Sequence, residues 1–475
     1  MVELENRDIQ GIIVSGYGHL PFSRYLFLQI YAPAKAQECL KQIVPHTTNS
    51  NWSNEKPQLA INIAFTYKGF EKLGLTEESL KTFSTEFVEG MTEPNRSRIL
   101  GDIGANAPIY WDIKPATAEE LHVLLILQAP DEEKLNRMCE EQQRLIELSG
   151  GLQQVAIEAG YMPCDQKEHF GFHDSISQPG IEGSPKIKEG QAGIKAGEFI
   201  LGYQNQDHNL PPTPTITADR DEHNNLPPLP KTAKDSKKPQ LKDFGRNGSY
   251  LVFRKLHQDV VKFRRYFRDN FSDSEEGALM AAKIVGRWPS GVPLVLAPDQ
   301  EAPDFDATHN NNFAYMPTDP HGYKCPIGAH IRRTNPRDSL GPDPQESLKL
   351  VNQHRILRRG TLYGKPLPEG TFEDDGKPRG LLFICVNADI RRQFEFIQQT
   401  WINNPKFNGL YNEKDPLIGN NLDNALQQMT IQQQPVRQKI SLPNFVSVKG
   451  GGYFFLPSIS ALYFLAGVKN PHIQH

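Results

Sequence analysis

The sequence predicts an α+β fold in which antiparallel sheets carry helices on one face. Runs of β-branched and aromatic residues alternate with amphipathic helical patterns over residues 9–157. The second half of the chain mixes strand and helix patterns in similar proportions, without a visible sequence repeat. A chain of 475 residues is long enough for two or three domains. We therefore expect two ferredoxin-like domains, each an antiparallel sheet with helices packed on it.

The predicted elements of the first half follow the order strand, helix, strand, helix, strand, helix, strand. Asp131 is a plausible N-cap for the longest of these helices, and Gly150 and Gly151 end it. The strands are predicted at residues 9–14, 59–65, 121–127 and 153–157, and the helices at 34–43, 68–73 and 132–148. This order is typical of a ferredoxin-like sandwich.

The second half is predicted to contain strands and helices after a change of composition. Proline, asparagine, aspartate and lysine dominate residues 204–243, which predicts a linker or insertion. We thus expect an N-terminal domain over 1–203, whose loop 170–180 reaches the functional site, and a C-terminal domain over 244–475. The later elements are predicted as strands at 249–256, 380–386 and 450–457 and helices at 258–269, 273–284 and 389–401.

Composition excludes several classes of function. With 38% hydrophobic and 23% charged residues and a net charge of −4, the chain offers no electrostatic case for binding nucleic acid or an anionic membrane. The charged start of the chain, Met1–Gln10, lacks the apolar core of a signal peptide, so we expect a cytoplasmic protein. Five scattered cysteines argue against a disulfide framework, a zinc site or an iron–sulfur cluster.

The chemistry is predicted to centre on His330. This residue lies in the small, apolar run Cys325–His330, which opens into a basic segment, and Pro326 and Pro336 stiffen its flanks. A neutral imidazole held in this way can bind a haem iron. The alternative is that His330 is a core histidine with an ordinary hydrogen-bond partner. Cys325 could instead supply a thiolate, but nothing marks it as activated.

Three other side chains are candidates for the same site. Asp174 lies among aromatics in a glycine- and proline-punctuated loop, where it could exchange protons; an ordinary turn is the alternative. Arg358, in a basic extended segment, could stabilise negative charge on oxygen, or it could lie on a solvated strand edge. Asp415, which precedes a proline, could hydrogen-bond the far nitrogen of a metal-bound histidine, or it could merely end a helix. His173, next to Asp174, is a second candidate, as a base or as a ligand.

Together these segments make the chain resemble the dye-decolorizing peroxidase family along nearly its whole length. The matching segments occur in the family's order, and their combination is specific although no single segment is. They are residues 8–13, 64–70, 171–179, 248–254, 285–291, 325–338, 358–364, 380–389 and 450–457. The resemblance implies a fold of the dimeric α+β barrel type, with haem b, one per chain, between the helices and the sheet of the C-terminal domain.

The resemblance also implies residue roles and partners. His330 would be the proximal iron ligand, Asp174 the distal acid/base, Arg358 the distal arginine and Asp415 the partner of the proximal histidine. The implied activity is a haem peroxidase (EC 1.11.1.-) that reduces hydrogen peroxide and oxidises dye-like or phenolic molecules by one-electron steps. Its partners would be peroxide and a small-molecule reductant, and a homo-oligomer is left open.

One position departs from the family's G-x-x-D-G motif, because Ser175 stands where the second glycine is expected. Serine resists backbone conformations that glycine adopts freely, so we expect a shifted or crowded distal loop and a displaced Asp174. The alternative function is therefore a haem-binding or haem-handling protein with weak peroxidase activity. A further alternative is a ferredoxin-like binding module without haem.

Overall fold

The computed structural model describes residues 3–52, 55–112, 120–184, 187, 193–229, 240–302, 304–421 and 427–472. Its centre is a nine-stranded sheet that closes on itself into a barrel. The strands are Phe22–Ile30 (β1), Ala60–Phe65 (β2), Val123–Ala129 (β3), Leu152–Tyr161 (β4), Ser249–Gln258 (β5), Leu357–Arg358 (β6), Thr361–Tyr363 (β7), Gly380–Asn387 (β8) and Val446–Leu456 (β9).

Each half of the chain contributes one antiparallel sheet. In the first half the spatial order is β4-β1-β3-β2. In the second half β6 and β7 both pair with β8, and the order continues through β5 to β9. Both are ferredoxin-like orders, so the predicted α+β class and its barrel type are confirmed.

Two edge pairings join the sheets into the barrel. Phe65 of β2 pairs with Phe455 of β9, and Leu362 of β7 pairs with Tyr161 of β4. Closure removes the free edges that an open sheet would present to other chains. Because the two sheets share these edges, the division of the chain at residues 203 and 244 stays a prediction.

Apolar side chains fill both the barrel and the layer outside it. Alternate residues of the strands, such as Phe27, Leu124, Phe253 and Phe454, pack inside the barrel. Their strand neighbours point outward and are covered by helices. The helices are Gly11–Val14, Pro33–Ile43, Tyr67–Lys72, Glu77–Leu80, Thr85–Glu89, Pro94–Leu100, Glu132–Ser149, Val260–Asn270, Ser274–Val285, His330–Thr334, Pro344–Asn352 and Ile459–Leu465, with π-helical segments Arg391–Glu395 and Ile397–Ile402.

The first predicted strand is wrong. Its residues form the short helix Gly11–Val14, and the first barrel strand is Phe22–Ile30, which has no predicted counterpart. A short run of buried apolar residues does not distinguish a helix from a strand by its pattern, since every position is covered in both cases.

The proline-rich stretch 204–243 contains regular structure where it is described. Thr215–Thr217 pairs with Leu241–Asp243, and residues 230–239 lie outside the described residues. Two further small sheets pair Gly180–Ile181 with Gly193–Ile194 and Gln427–Ile431 with Gln438–Leu442. Among the described residues, no helix is both long and apolar enough to cross a membrane.

Candidate active site

A cavity of ≈ 310 Å³ lies between the outer face of the second-half sheet and the helices that cover it. Strands β5, β8 and β9 supply one wall through Leu256, Phe383 and Val448. Its volume is at the lower end of the range of roughly 300–1,000 Å³ found for small-molecule sites. His330, Asp174 and Arg358 all line it, so the fold brings together residues that lie far apart in the chain.

His330 is held by a buried carboxylate. Its Nδ1 lies 2.9 Å from Oδ2 and 3.1 Å from Oδ1 of Asp415, whose side chain has no solvent exposure. Nδ1 therefore carries a hydrogen and donates it, and Nε2 is the ring nitrogen left for another partner. No second hydrogen bond to the ring is found among the described residues. This is the arrangement of a metal-ligating histidine with its supporting carboxylate.

The surroundings of Asp415 keep it ionised. Burial opposes the charge, but the nearby His330, its hydrogen bond and the backbone N–H of Ile418 outweigh burial and hold the pKa of Asp415 below its ordinary value. Oδ1 also accepts from the N–H of Leu417 at 2.9 Å. A carboxylate fixed by backbone donors cannot rotate away, so it also fixes the plane of the imidazole.

The arginines that follow His330 anchor its short helix. Arg332 donates to Oδ2 of Asp319 at 2.9 Å and to the carbonyl of Cys325 at 2.7 Å. Arg333 donates to the carbonyl of Trp401 at 2.9 Å. Both side chains are fully buried. The basic segment seen in the sequence therefore holds His330 in place instead of facing solvent.

Asp174 and Arg358, the other two candidates that line the cavity, form an ion pair on its wall. Oδ1 of Asp174 accepts from Nη1 of Arg358 at 2.8 Å and from its neighbour's backbone, the N–H of Ser175, at 2.6 Å. Burial raises the pKa of Asp174, but the charge of Arg358 and these hydrogen bonds prevail, and the pKa lies below its ordinary value. Gln178 accepts from the backbone N–H of Arg358 and so ties the loop to β6.

Ser175 adopts the left-handed conformation that glycine would favour, with φ of 63°. This conformation costs an L-residue roughly 1–2 kcal/mol. Asp174 lines the cavity and contacts Arg358, and the expected shift or crowding of its loop stays a prediction. The serine at position 175 therefore carries local backbone strain.

The two alternative ligands fit the structure less well. Cys325 is fully buried, and burial raises the pKa of its thiol to about 12, which disfavours a thiolate. His173 does line the cavity, but its Nδ1 donates to the carbonyl of Asp174 at 2.8 Å, and no carboxylate of the described residues hydrogen-bonds to its ring. His330 alone of the three combines cavity access with a buried carboxylate.

Several polar groups on the cavity wall lack partners within the described residues. The side-chain amide atoms of Asn335 and Nε2 of His354 are buried without a hydrogen bond. Arg355 lines the same cavity without a hydrogen-bond acceptor, and burial together with the charges of Arg337 and Arg358 lowers its pKa to about 9. Unpaired buried polar groups are costly, so this set favours a ligand that carries negative, hydrogen-bonding groups.

Sequence reasoning missed Asn335, Arg355 and also Glu168 as cavity residues. Glu168 lies on the same loop as Asp174, six residues before it, and Gly171 lies midway between the two. Two carboxylates placed symmetrically about a turn glycine are the sequence signal that could have identified Glu168. Gly171 has φ of 98° at the turn of a hairpin that pairs Lys167 with His173, and this register puts Glu168 and Asp174 on the same face.

Comparison with known proteins shows which family model, relatives and solved structures this chain is similar to. Residues 8–160 match the family model described as the DyP dimeric alpha+beta barrel domain. The dye-decolorizing peroxidase msp1 of Mycetinis scorodonius is 30% identical, over 96% of this chain and 86% of its own length. The structure of a dye-decolorizing peroxidase from Auricularia auricula-judae superposes with a TM-score of 0.80 at 28% identity, over 98% of this chain and all of that chain.

A structure of a dye-decolorizing peroxidase in complex with 2,6-dimethoxyphenol is similar to the same extent. Its TM-score is 0.79 at 27% identity, and the match covers 98% of this chain and 100% of that one. The protein is thus a peroxidase of a haem-dependent class. The chain belongs to the dye-decolorizing peroxidase family.

Proposed function

We propose that this chain binds one haem b in the cavity and reduces hydrogen peroxide with electrons from small organic molecules such as phenols and dyes. The observation that carries the proposal is the contact of His330 with Asp415 on a cavity that Asp174 and Arg358 also line. The related enzyme that binds 2,6-dimethoxyphenol supports the choice of phenols as reductants.

The residues present fit a haem on the proximal side. His330 would hold the iron through Nε2, because its Nδ1 is committed to Asp415. The carboxylate makes the imidazole a stronger electron donor, and bound haem would supply the two-electron chemistry that splits the peroxide O–O bond. Apolar residues such as Leu256, Ile331 and Phe383 suit the faces of a porphyrin.

The unpartnered polar groups fit the carboxylates that distinguish haem b from an uncharged porphyrin. Arg355 would pair with a propionate, and Asn335 and Nε2 of His354 would hydrogen-bond to it or to its neighbour. An arginine–carboxylate hydrogen bond is charge-assisted and strong in a cavity shielded from water.

On the distal side, Asp174 would take a proton from one peroxide oxygen and return it to the other. It is ionised at neutral pH because Arg358 lowers its pKa, so it is ready to accept that proton. Arg358 would stabilise the negative charge that develops on the peroxide as its O–O bond lengthens. Their hydrogen bond sets the distance between the base and the charge stabiliser.

A haem-handling protein with weak turnover remains the second candidate, since Ser175 occupies a strained position. The position of Asp174 against Arg358 favours the peroxidase instead. The two functions differ in their response to peroxide. When about one equivalent of peroxide is mixed with a peroxidase, the Soret band shifts rapidly. The starting spectrum returns when 2,6-dimethoxyphenol is added.

The test is a stopped-flow experiment on protein reconstituted with haem b. A Soret band at one haem per chain, a rapid spectral change with peroxide and repeated turnover with the phenol support the proposal. Stable haem binding without a peroxide reaction would support the haem-handling alternative. The absence of a Soret band would support the further alternative, a ferredoxin-like binding module that holds no haem.

A further inference from the structure

We propose that Glu168 is a second proton-handling carboxylate of this site, which passes protons into the distal side of the cavity through Asp174. This inference rests on the proposed peroxidase function and extends it to a residue that this function does not use. Glu168 lines the cavity, as Asp174 does.

The first support is the geometry of the loop that carries both carboxylates. The N–H of Asp174 donates to the carbonyl of Gln166 at 2.9 Å, and the N–H of Glu168 donates to the carbonyl of Phe172 at 2.9 Å. Lys167 and His173 form the bridge between these two pairs. Residues 166–174 are therefore a small hairpin.

In such a hairpin Glu168 and Asp174 are diagonal neighbours on one face. Glu168 lies opposite Phe172, and Asp174 is two residues further along the same strand. Diagonal neighbours are separated by about 7–8 Å at the backbone, within reach of each other through their side chains and one bridging water. A proton on Glu168 thus has a short path to Asp174.

The second support is that Glu168 is fixed in place. Its Oε1 accepts from the N–H of Phe172 at 2.9 Å, and its Oε2 accepts from the N–H of Phe170 at 2.9 Å. Gln258 of β5 also donates its side-chain amide to Oε2. These three donors hold the carboxylate at the cavity wall, and they favour its ionised form.

The environments of the two carboxylates separate their protonation states. Burial and the negative charge of Asp174 raise the pKa of Glu168 to about 7, against the opposing hydrogen bonds from Phe170, Gln258 and Phe172. Asp174 has its pKa lowered by Arg358. Near neutral pH one carboxyl group can donate a proton and the other can accept one, which is the pairing that acid–base catalysis uses.

Other charged groups face the same cavity and belong to the electrostatics of Glu168. Asp174 is the neighbour whose charge raises its pKa, and Arg358 partly cancels that charge. The remaining ionisable side chains on the cavity wall are His173, Arg254, Arg287, His330, Arg337, His354 and Arg355.

The reaction requires such a supply of protons. The reduction of one peroxide to two waters consumes two electrons and two protons. Phenolic reductants lose a proton with each electron, but a donor such as ferrocyanide gives an electron alone. Glu168 would then supply the proton as its carboxylic acid, become a carboxylate and regain a proton from solvent.

The test compares the wild-type holoenzyme with Glu168→Gln in stopped-flow experiments. After one equivalent of peroxide, return to the starting spectrum is followed with ferrocyanide and, separately, with 2,6-dimethoxyphenol, from pH 5 to 9. We expect the variant to be at least tenfold slower with ferrocyanide below pH 7, and less affected with the phenol. The difference should shrink above pH 7, where wild-type Glu168 has itself lost its proton.

Two further variants make the outcome decisive. Asp165→Asn removes an exposed carboxylate from the same loop and should leave both rates unchanged. Gln258→Leu removes one donor to the Glu168 carboxylate, so it should raise the pKa and move the ferrocyanide profile to higher pH. This second variant remains informative if Glu168→Gln binds haem poorly.

Identical ferrocyanide profiles for the wild type and Glu168→Gln, or an unmoved profile in Gln258→Leu, would overturn the inference. Those results would leave the peroxidase proposal intact as long as the first spectral change with peroxide is normal. Failure of that first change in the wild type would instead overturn the proposed function.

Discussion

Asp174 and Arg358 form a hydrogen-bonded ion pair, with Oδ1 of one 2.8 Å from Nη1 of the other, although 184 residues separate them. The aspartate comes from a loop after β4, and the arginine ends β6. Closure of the barrel brings these two segments together. The pair places a carboxylate and a guanidinium on the same wall of the cavity.

Arg358→Leu should retain haem and lose most of the peroxide reaction. Loss of a preorganised charge stabiliser costs roughly 10²–10³-fold in rate. The measurement is the second-order rate constant of the first spectral change with peroxide. Arg391→Leu, which removes an exposed arginine, should leave that constant unchanged. An Arg358→Leu rate within threefold of the wild type would contradict the role given to Arg358.

The peroxide step should be insensitive to pH until strongly acidic conditions. Because the pKa of Asp174 is lowered, its carboxylate stays ionised above its ordinary pKa of 3.8, and the rate should decline only below that pH. Arg358→Leu removes the lowering charge, so any residual rate should decline at a higher pH. The profile is measured over pH 3 to 8; a wild-type midpoint between pH 5 and 7 would exclude Asp174 as the base.

Asp415→Asn should weaken haem binding without unfolding the protein. Loss of a carboxylate that supports a ligating histidine typically costs about 10–100-fold in metal affinity. The measurement is the rate of haem transfer to an excess of apomyoglobin, with the thermal unfolding midpoint as a check on folding. Asp415→Glu should recover part of the loss, and equal transfer rates in all three proteins would argue against the contact with His330 as a support for iron binding.

Ser175→Gly should stabilise the protein by about 1 kcal/mol, because glycine accepts a φ of 63° without the penalty that serine incurs. The peroxide rate should stay within about threefold of the wild type, since Asp174 already contacts Arg358. Ser177→Gly on the same loop should instead destabilise, because its φ is not positive. Chemical denaturation measures both; a large gain in peroxide rate for Ser175→Gly would favour the haem-handling alternative.

Arg355→Met should lower the affinity for haem b but not for its dimethyl ester. The ester lacks the carboxylates that would pair with Arg355, so the variant and the wild type should bind it equally. Spectroscopic titration of both proteins with both porphyrins gives four affinities. Equal losses for the two porphyrins would show that Arg355 acts through packing and not through a carboxylate.

Local patterns predicted the long elements well, because their signals do not depend on distant partners. The Asp131 cap and the glycine stop bracket the helix Glu132–Ser149, and the apolar run near residue 380 became β8. The strand Phe22–Ile30 escaped prediction even though it pairs with strands on both sides. Its identity depends on long-range pairing, which a local pattern does not contain.

Prediction of the site from the sequence has the same limit, because a local pattern does not show long-range contacts. His330, Asp174, Arg358 and Asp415 carry recognisable local chemistry, and all four meet at or beside one cavity. Arg355 and Asn335 became visible only through the partners they lack in the fold. Burial sets the pKa of Glu168 and Cys325, and the burial of a single side chain cannot be read from its neighbours in sequence.

The central claim is that the imidazole of His330 holds the haem iron, and a haem titration of His330→Gly with and without added imidazole tests it most directly. The account predicts that the variant binds haem weakly alone and that imidazole restores both the affinity and the wild-type Soret band. Binding as tight as the wild type without imidazole, with an unchanged spectrum, would contradict it.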